Sequence, residues 1–250
     1  MNAFYRNLLL VAVAAAAVAG AFFLDPIPQD PAYHDFADKR VLFGVPNFWN
    51  VATNLPFLVA GMLGLARLRR LTSPQLRTHY LMLCVAVSLV AFGSAYYHLA
   101  PSNPTLIWDR LPMTVAFMAL LSAVIADRIT WLVGRALLWP LVALGIASIA
   151  WWVRTEAAGE GDLRPYAIVQ FLPLLLIPLI LWMWSGAGVD SRRLWAAIGA
   201  YAGAKLLEYF DAAILGAIGV LGGHGLKHLL AALAAWWIVR SFQRSPASAL

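Results

Sequence analysis

Three histidines give the sequence its strongest chemical signal. His224 and His228 are four residues apart in the run HGLKH, and His98 ends the run GSAYYH. On a helix, two imidazoles at this spacing share one face and can bind a metal ion together. Three neutral histidines with a fourth position open are typical of catalytic zinc, whereas structural zinc normally has four protein ligands. The isolated His34 and His79 are interpreted instead as hydrogen-bonded residues between helices.

Two further polar residues accompany the histidines. Ser94 lies one helical turn before His98, and Asp109 follows a short break after that helix. His98 ends an outward-running helix, whereas Asp109 and His224 each begin an inward-running one, so these three are expected at one outer level of a membrane. Ser94 and His228 are then expected one turn deeper. A carboxylate there can accept and return a proton, and a hydroxyl can stabilise an oxyanion. The residues therefore predict a metal-dependent hydrolase.

The composition requires a membrane around these helices. Of 250 residues, 62% are hydrophobic and 12% are charged, and the mean hydropathy is +0.75. Soluble proteins are about 45–50% apolar and about a quarter charged. The comparison excludes a water-soluble enzyme, a disordered chain and a nucleic-acid-binding protein. The one cysteine, Cys84, excludes an intrachain disulfide and a cysteine-based zinc cluster.

Apolar segments that are long enough for transmembrane helices divide the chain. We predict an all-α polytopic membrane bundle that forms a single domain over residues 1–250. The predicted spans are 7–24, 48–66, 78–98, 111–126, 131–153, 166–184, 192–210 and 224–239. The first follows Arg6 and resembles a signal peptide with a cleavage site at Ala17-Val18-Ala19, but its length favours a retained helix.

Loop charges predict the orientation of the bundle. With the N-terminus inside, eleven Lys and Arg residues lie in inner loops and five lie in outer loops. The inner residues are Arg6, Arg67, Arg69, Arg70, Arg77, Arg128, Arg135, Arg192, Arg193, Arg240 and Arg244, and the outer ones are Lys39, Arg40, Arg110, Arg154 and Arg164. We therefore predict that both termini are cytoplasmic and that the histidines lie toward the outer face.

Four charged residues lie within or beside the last two predicted spans. Lys205, Glu208 and Asp211 are three residues apart, which predicts an ion-pair ladder along one helix face, with a proton path as the alternative. Lys227, between two histidines in sequence, is expected to extend toward the lipid headgroups. A charge at membrane depth costs about 2.5–3.5 kcal/mol on insertion scales, so each of these residues needs a partner or a task.

The order of several motifs resembles that of the alkaline ceramidases. The motifs are NFWNVATN from Asn47, the Ser94–His98 pair, DRLPM from Asp109 and the His224–His228 pair. The resemblance extends over residues 34–240 and implies a seven-helix core, to which the first helix is an addition. The wider superfamily of seven-helix membrane hydrolases includes progestin/adiponectin-receptor-like proteins, but the FWN and DRLPM motifs are typical of the ceramidase branch.

This resemblance implies an activity as well as a fold. His98, His224 and His228 would bind Zn²⁺ with a water in the fourth position. Asp109 would orient and deprotonate that water, and Ser94 would stabilise the oxyanion. The implied reaction is hydrolysis of the N-acyl bond of ceramide-like lipids to a fatty acid and a long-chain base. The expected location is the plasma membrane of a bacterium, with a membrane lipid as substrate and no nucleic-acid partner.

One position departs from the family pattern. Alkaline ceramidases characteristically have Glu immediately before FWN and an acidic N-terminal segment, which together bind calcium. The matching residue here is Asn47, which is neutral. Asp35 and Asp38 could still supply the carboxylate oxygens that Ca²⁺ prefers. The alternative is that both are solvated loop residues.

Two other functions fit the same residues. The same centre could cleave acyl esters, as in an esterase or phospholipase. A receptor-like seven-helix protein could instead use zinc only as a structural ion. A transporter is disfavoured because the spans show no inverted repeat with paired broken helices.

Overall fold

Helices form the architecture of residues 2–243, the part of the chain that the computed structural model describes, and no β-strand occurs among them. Arg244, one of the predicted inner charges, lies outside these residues. The α-helices are α1 (Ala3–Phe22), α2 (Phe48–Ala52), α3 (Leu55–Leu65), α4 (Arg77–Leu99), α5 (Asn103–Arg128), α6 (Trp131–Ala157), α7 (Arg164–Met183), α8 (Ser191–Tyr209), α9 (Asp211–Ile218) and α10 (Gly223–Ser241).

Six helical segments of the described chain are long and apolar enough to cross a membrane. They are α1, α2 with α3, α4 with the turn before it, α5, α6 and α7. The α9–α10 pair, bent by 103°, makes a seventh if it is counted as one span. Helix α8, which matches the predicted span 192–210, fails this test and carries Arg192, Arg193, Lys205 and Glu208. The predicted all-α polytopic membrane fold is confirmed.

The start of α5 differs from the sequence prediction. The helix was expected from residue 111 but begins at Asn103, because Ser102 forms a capping box with Thr105. The Ser102 hydroxyl accepts from the Thr105 N–H at 3.4 Å, and the Thr105 hydroxyl accepts from the Ser102 N–H at 3.1 Å. These bonds satisfy donors that would be orphaned at a helix start. As a result, Asp109 lies inside α5, near the end of its second turn, rather than at its beginning.

Helices α4 and α5 pack against each other along the centre of the bundle, and α10 packs against α3 and α8. Gly93 allows the α4–α5 pair to approach closely: a Cβ at this position would lie 1.9 Å from the main-chain oxygen of Trp108. Helix α1 is peripheral, since it packs against α7 and buries none of its own residues. Arg6 fixes its N-terminal end by donating to the Met183 carbonyl at 2.7 Å.

Two groups of loops lie at opposite ends of the bundle. At one end, the segment after α1 meets the α6–α7 loop, where the Leu163 N–H donates to the Ile27 carbonyl at 2.8 Å. At the other end, the α7–α8 loop meets the end of α10, where the Asp190 N–H donates to the Ser241 carbonyl at 2.8 Å. The segments that carry the predicted outer charges Lys39, Arg40, Arg154 and Arg164 therefore lie at one end of the bundle.

Candidate metal centre and cavity

The three predicted ligand histidines meet inside the bundle. His98 comes from the last turn of α4, and His224 and His228 come from the first two turns of α10. All three are buried, and one nitrogen of each lies within 4.8 Å of the others. Among residues 2–243 this is the one group of three or more His, Cys, Asp or Glu side chains arranged to hold a metal ion.

The hydrogen bonds around these imidazoles leave nitrogen lone pairs for a metal. The Thr53 hydroxyl donates to the Trp49 carbonyl at 2.6 Å and lies 3.0 Å from Nδ1 of His228. A hydroxyl has one proton to donate, so Thr53 accepts from Nδ1–H and leaves the Nε2 lone pair of His228 available for a metal ion. Nδ1 of His98 and Nε2 of His224 are buried without a hydrogen-bond partner. Orphaned buried nitrogens of this kind fit a metal site.

Asp211 positions the start of α10. One carboxylate oxygen accepts from the His224 N–H at 2.8 Å, and the other accepts from the Ala37 N–H at 3.0 Å. Asp211 therefore joins the loop after α1 to the histidine-bearing helix, and the prediction that it belongs to an ion-pair ladder is wrong. Helix α8 ends at Tyr209 and Asp211 begins α9, so Asp211 does not share a helix face with Lys205 and Glu208.

Glu208 pairs with two lysines. Its two oxygens lie 2.7 Å from Nζ of Lys205 and 2.7 Å from Nζ of Lys227. The predicted Lys205–Glu208 pair is thus confirmed. The expectation that Lys227 extends to the lipid headgroups is wrong, because an acidic partner on a different helix holds it inside the bundle. Glu208 also lies 3.9 Å from Nδ1 of His224.

A cavity of about 260 Å³ opens beside the histidines. At its polar end lie Ser94, Asp109 and His228. Ser94 comes from α4 and Asp109 from α5, the two helices that pack together along the centre of the bundle. The rest of the wall is mainly apolar and includes Val87, Val90, Leu120, Ile177, Ala235 and Ile238. The structure thus brings all five predicted zinc-site residues to one place.

The predicted calcium ligands have other partners. Asp35 forms an ion pair with Lys39. Arg40 binds both oxygens of Asp38, at 2.9 and 2.5 Å, and this hydrogen bonding lowers the pKa of Asp38 below its usual value. The side-chain amide of Asn47 donates to the His98 carbonyl at 2.9 Å, which holds the end of α4. Calcium binding by Asp35, Asp38 and Asn47 stays a prediction.

The two isolated histidines are hydrogen-bonded, as predicted. His34 contacts the Tyr97 hydroxyl through Nδ1 and Oδ1 of Asn103 through Nε2, both at 2.9 Å. Nε2 of His79 lies 3.4 Å from the Gly134 carbonyl. These contacts connect separate elements, so both residues serve as bridges between them.

Arg110 is a cavity residue that the sequence interpretation missed. It was assigned to an outer loop, but it lies on α5, is 5% exposed and lines the cavity. Its guanidinium lies 4.7 Å from the ring centres of both Trp152 and Tyr166 and 5.4 Å from that of Tyr33. The spacing of residues along one helix could not reveal these contacts, because the three rings belong to three other segments of the chain.

The fold and site define a polytopic helical membrane protein with a buried histidine cluster beside an apolar cavity. A family model described as Ceramidase matches residues 41–177, more than half of the chain. The chain therefore belongs to the ceramidase family. The matched region contains Ser94, His98 and Asp109, whereas His224 and His228 lie beyond it. No curated protein matches the chain. Family membership supports a membrane hydrolase that acts on the amide bond of ceramide.

Proposed function

We propose that the protein is a zinc-dependent amidase that hydrolyses the N-acyl bond of ceramide-like lipids to a fatty acid and a long-chain base. The observation that carries this proposal is the position of the histidine cluster at the polar end of an apolar cavity. Asp109 and Ser94, which can transfer a proton and stabilise negative charge, line the same end.

In this proposal His98, His224 and His228 hold the zinc through their nitrogen atoms. When bound, zinc supplies a Lewis acid and lowers the pKa of a coordinated water. A carboxylate oxygen of Asp109 accepts the proton of the attacking water and then delivers it to the amide nitrogen that leaves. The Ser94 hydroxyl, which lines the cavity together with Asp109, donates a hydrogen bond to the carbonyl oxygen as negative charge develops there.

The cavity wall binds the hydrocarbon part of the substrate. Its apolar side chains come from α3, α4, α5, α7, α8 and α10. A lipid chain in the bilayer is already in an apolar environment, so packing contacts with the cavity wall, rather than transfer from water, hold it there. The polar end fixes the position of the amide bond.

The proposed location is the plasma membrane of a bacterium, with both termini cytoplasmic and the metal centre toward the outer face. The inner-loop excess of Lys and Arg supports this orientation. The positions of several charged residues in the bundle also support it. Asp162, Glu156 and Asp38 lie at the end that holds His98, whereas Arg128 and Arg193 contact the α7–α8 loop and the end of α10 at the opposite end.

Purified protein in mild detergent allows a direct test. We expect about one zinc per chain by elemental analysis and release of fatty acid from N-acyl lipids by mass spectrometry. O-acyl lipids of matched chain length test the esterase alternative. A His224→Ala, His228→Ala double variant is the negative control. Protein that retains zinc yet leaves both amide and ester lipids intact would contradict the proposal and favour a structural zinc in a receptor-like protein.

A further inference from the structure

Arg110 carries a buried charge that has no acidic partner. Its side chain is 5% exposed, and its Nη1 is buried without a hydrogen-bond partner. Within the described part of the chain, no carboxylate lies within ion-pair distance of it. The aromatic rings around it attract the cation through their π-electrons, but they carry no negative charge to neutralise it. Because buried charges are normally paired, a buried guanidinium without an acidic partner favours the binding of an anion.

The same cavity has an excess of positive charge. Lys205, Lys227 and Arg110 all line it, and the two lysines share the single carboxylate of Glu208. Against these three cations stand Glu208 and the carboxylate of Asp109. A bound metal would add further positive charge. The polar end of the cavity is therefore suited to an anionic ligand rather than to a neutral one.

Arg110 directly follows Asp109, and both side chains face the cavity. An anion held by Arg110 would thus lie in the same cavity as the bond that Asp109 is proposed to help cleave. A guanidinium matches the planar geometry of a carboxylate, or the oxygens of a phosphate, through two parallel hydrogen bonds. This position fits an acidic group on the amine side of the amide bond, since the hydrocarbon occupies the apolar part of the cavity.

We infer that the preferred substrates are ceramide-like lipids whose long-chain base carries an acidic group, and that Arg110 binds this group and sets the specificity. The inference rests on the proposed amidase function and names its substrate class more narrowly. It predicts that an uncharged N-acyl lipid of the same length is a poorer substrate.

N-palmitoylglycine and N-palmitoylglycinamide are a pair of probes that place a carboxylate or a neutral carboxamide of similar size on the amine side of the bond. For wild-type protein we expect kcat/KM to be at least about 10-fold higher for the anionic compound. Arg110→Gln should lower kcat/KM for the anionic compound by about 10- to 100-fold, as for lost hydrogen bonds to a charged group, and change the neutral one by less than about 3-fold. Arg135→Gln is the control, because Arg135 is exposed and lies over the Trp131 ring outside the cavity. It should change neither value.

Binding measured without turnover separates this inference from the amidase proposal. In an Asp109→Asn background, each lipid displaces a fluorescent fatty-acyl probe, and the anionic one should bind more tightly unless Arg110 is also replaced. Charge preference without any hydrolysis by wild-type protein would refute the amidase and retain the anion site. Hydrolysis with equal preference for the two compounds would overturn the inference, even if Arg110→Gln does not fold.

Palmitate and palmitamide test whether the site binds the fatty-acid product instead. If the Arg110-dependent preference were confined to palmitate, the site would bind the carboxylate of the fatty-acid product. That result would also overturn the inference.

Discussion

The α-carbon of Gly93 faces the main-chain carbonyl of Trp108, and a Cβ built on Gly93 would lie 1.9 Å from that oxygen. Ser94 follows Gly93 on α4, and Asp109 follows Trp108 on α5. The contact therefore sets the distance between the two proposed catalytic side chains. Only a glycine allows the helices to approach so closely, because the obstructing atom belongs to the backbone and cannot rotate away.

Gly93→Ala is expected to separate α4 from α5 at the metal centre. Overpacking of this kind costs about 1–3 kcal/mol of stability, and a 1 Å misplacement of reacting groups can lower turnover by about 100-fold. Thermal unfolding and lipid hydrolysis measure the two effects. Gly199→Ala in α8 is the matched control, since nothing lies within 4 Å of its added Cβ and Ala favours helix. Equal behaviour of the two variants would contradict the proposed role of Gly93.

Asp109→Asn tests the proton transfer. Asn keeps the size of the side chain but cannot accept the proton, so we expect amide hydrolysis to fall by about 10²–10⁴-fold with zinc content unchanged. Ser94→Ala should retain zinc and lose about 10²–10³-fold as an oxyanion donor. Hydrolysis by folded, zinc-loaded Asp109→Asn at the wild-type rate would eliminate the mechanism.

Replacement of the histidines tests the metal centre. His98→Ala, His224→Ala and His228→Ala should each lower zinc content, because each removes one of three buried ligands. Thr53→Val should weaken zinc binding by about 10- to 100-fold, since it removes the hydrogen bond that orients His228. His34→Ala and His79→Ala are the controls and should bind zinc normally. Full zinc retention in the His224→Ala, His228→Ala double variant would refute the site.

Asp162 predicts a pH dependence of stability. It accepts two hydrogen bonds from the Arg164 guanidinium, at 2.8 and 2.9 Å, and this bonding lowers its pKa to about 2. A carboxylate whose folded pKa lies below the unfolded value of about 4 stabilises the fold above pH 4 and loses that contribution as the pH falls toward 2. The difference in Tm between wild-type protein and Asp162→Asn should therefore be largest above pH 4 and shrink toward pH 2. A difference that does not vary with pH would contradict this assignment.

Cysteine labelling tests the orientation. Thr72 and Glu160 are exposed at opposite ends of the bundle, and the native Cys84 is buried. In intact cells, an impermeant thiol reagent should label Glu160→Cys and leave Thr72→Cys unlabelled until the membrane is opened. The reverse pattern would place the metal centre on the cytoplasmic side.

Long apolar runs made several helices predictable to within a few residues. Helices α4 and α10 occupy 77–99 and 223–241, where 78–98 and 224–239 were predicted. The start of α5 was missed because its first turns contain polar residues and Pro104, although the Ser102–Thr105 capping box was readable.

The partners of buried charges could not be predicted in the same way. Periodicity along one helix identified the Lys205–Glu208 pair, whose members share a face. Lys227 meets Glu208 only because α8 and α10 pack together, and Arg110 meets Trp152 only because α5 packs against α6. Such contacts depend on tertiary packing, about which the spacing of residues along one chain segment carries no information.

The division of the histidines between α4 and α10 has a consequence for biogenesis. More than one hundred residues separate His98 from His224. At ribosomal rates of ~5–20 residues per second, α10 is synthesised about 6–25 s after α4. During that interval the nascent chain contains only His98 of the three proposed ligands, which is too few to hold zinc. Loading with metal would therefore mark chains whose insertion is complete, and truncated or misinserted chains would stay inert toward the lipids that surround them.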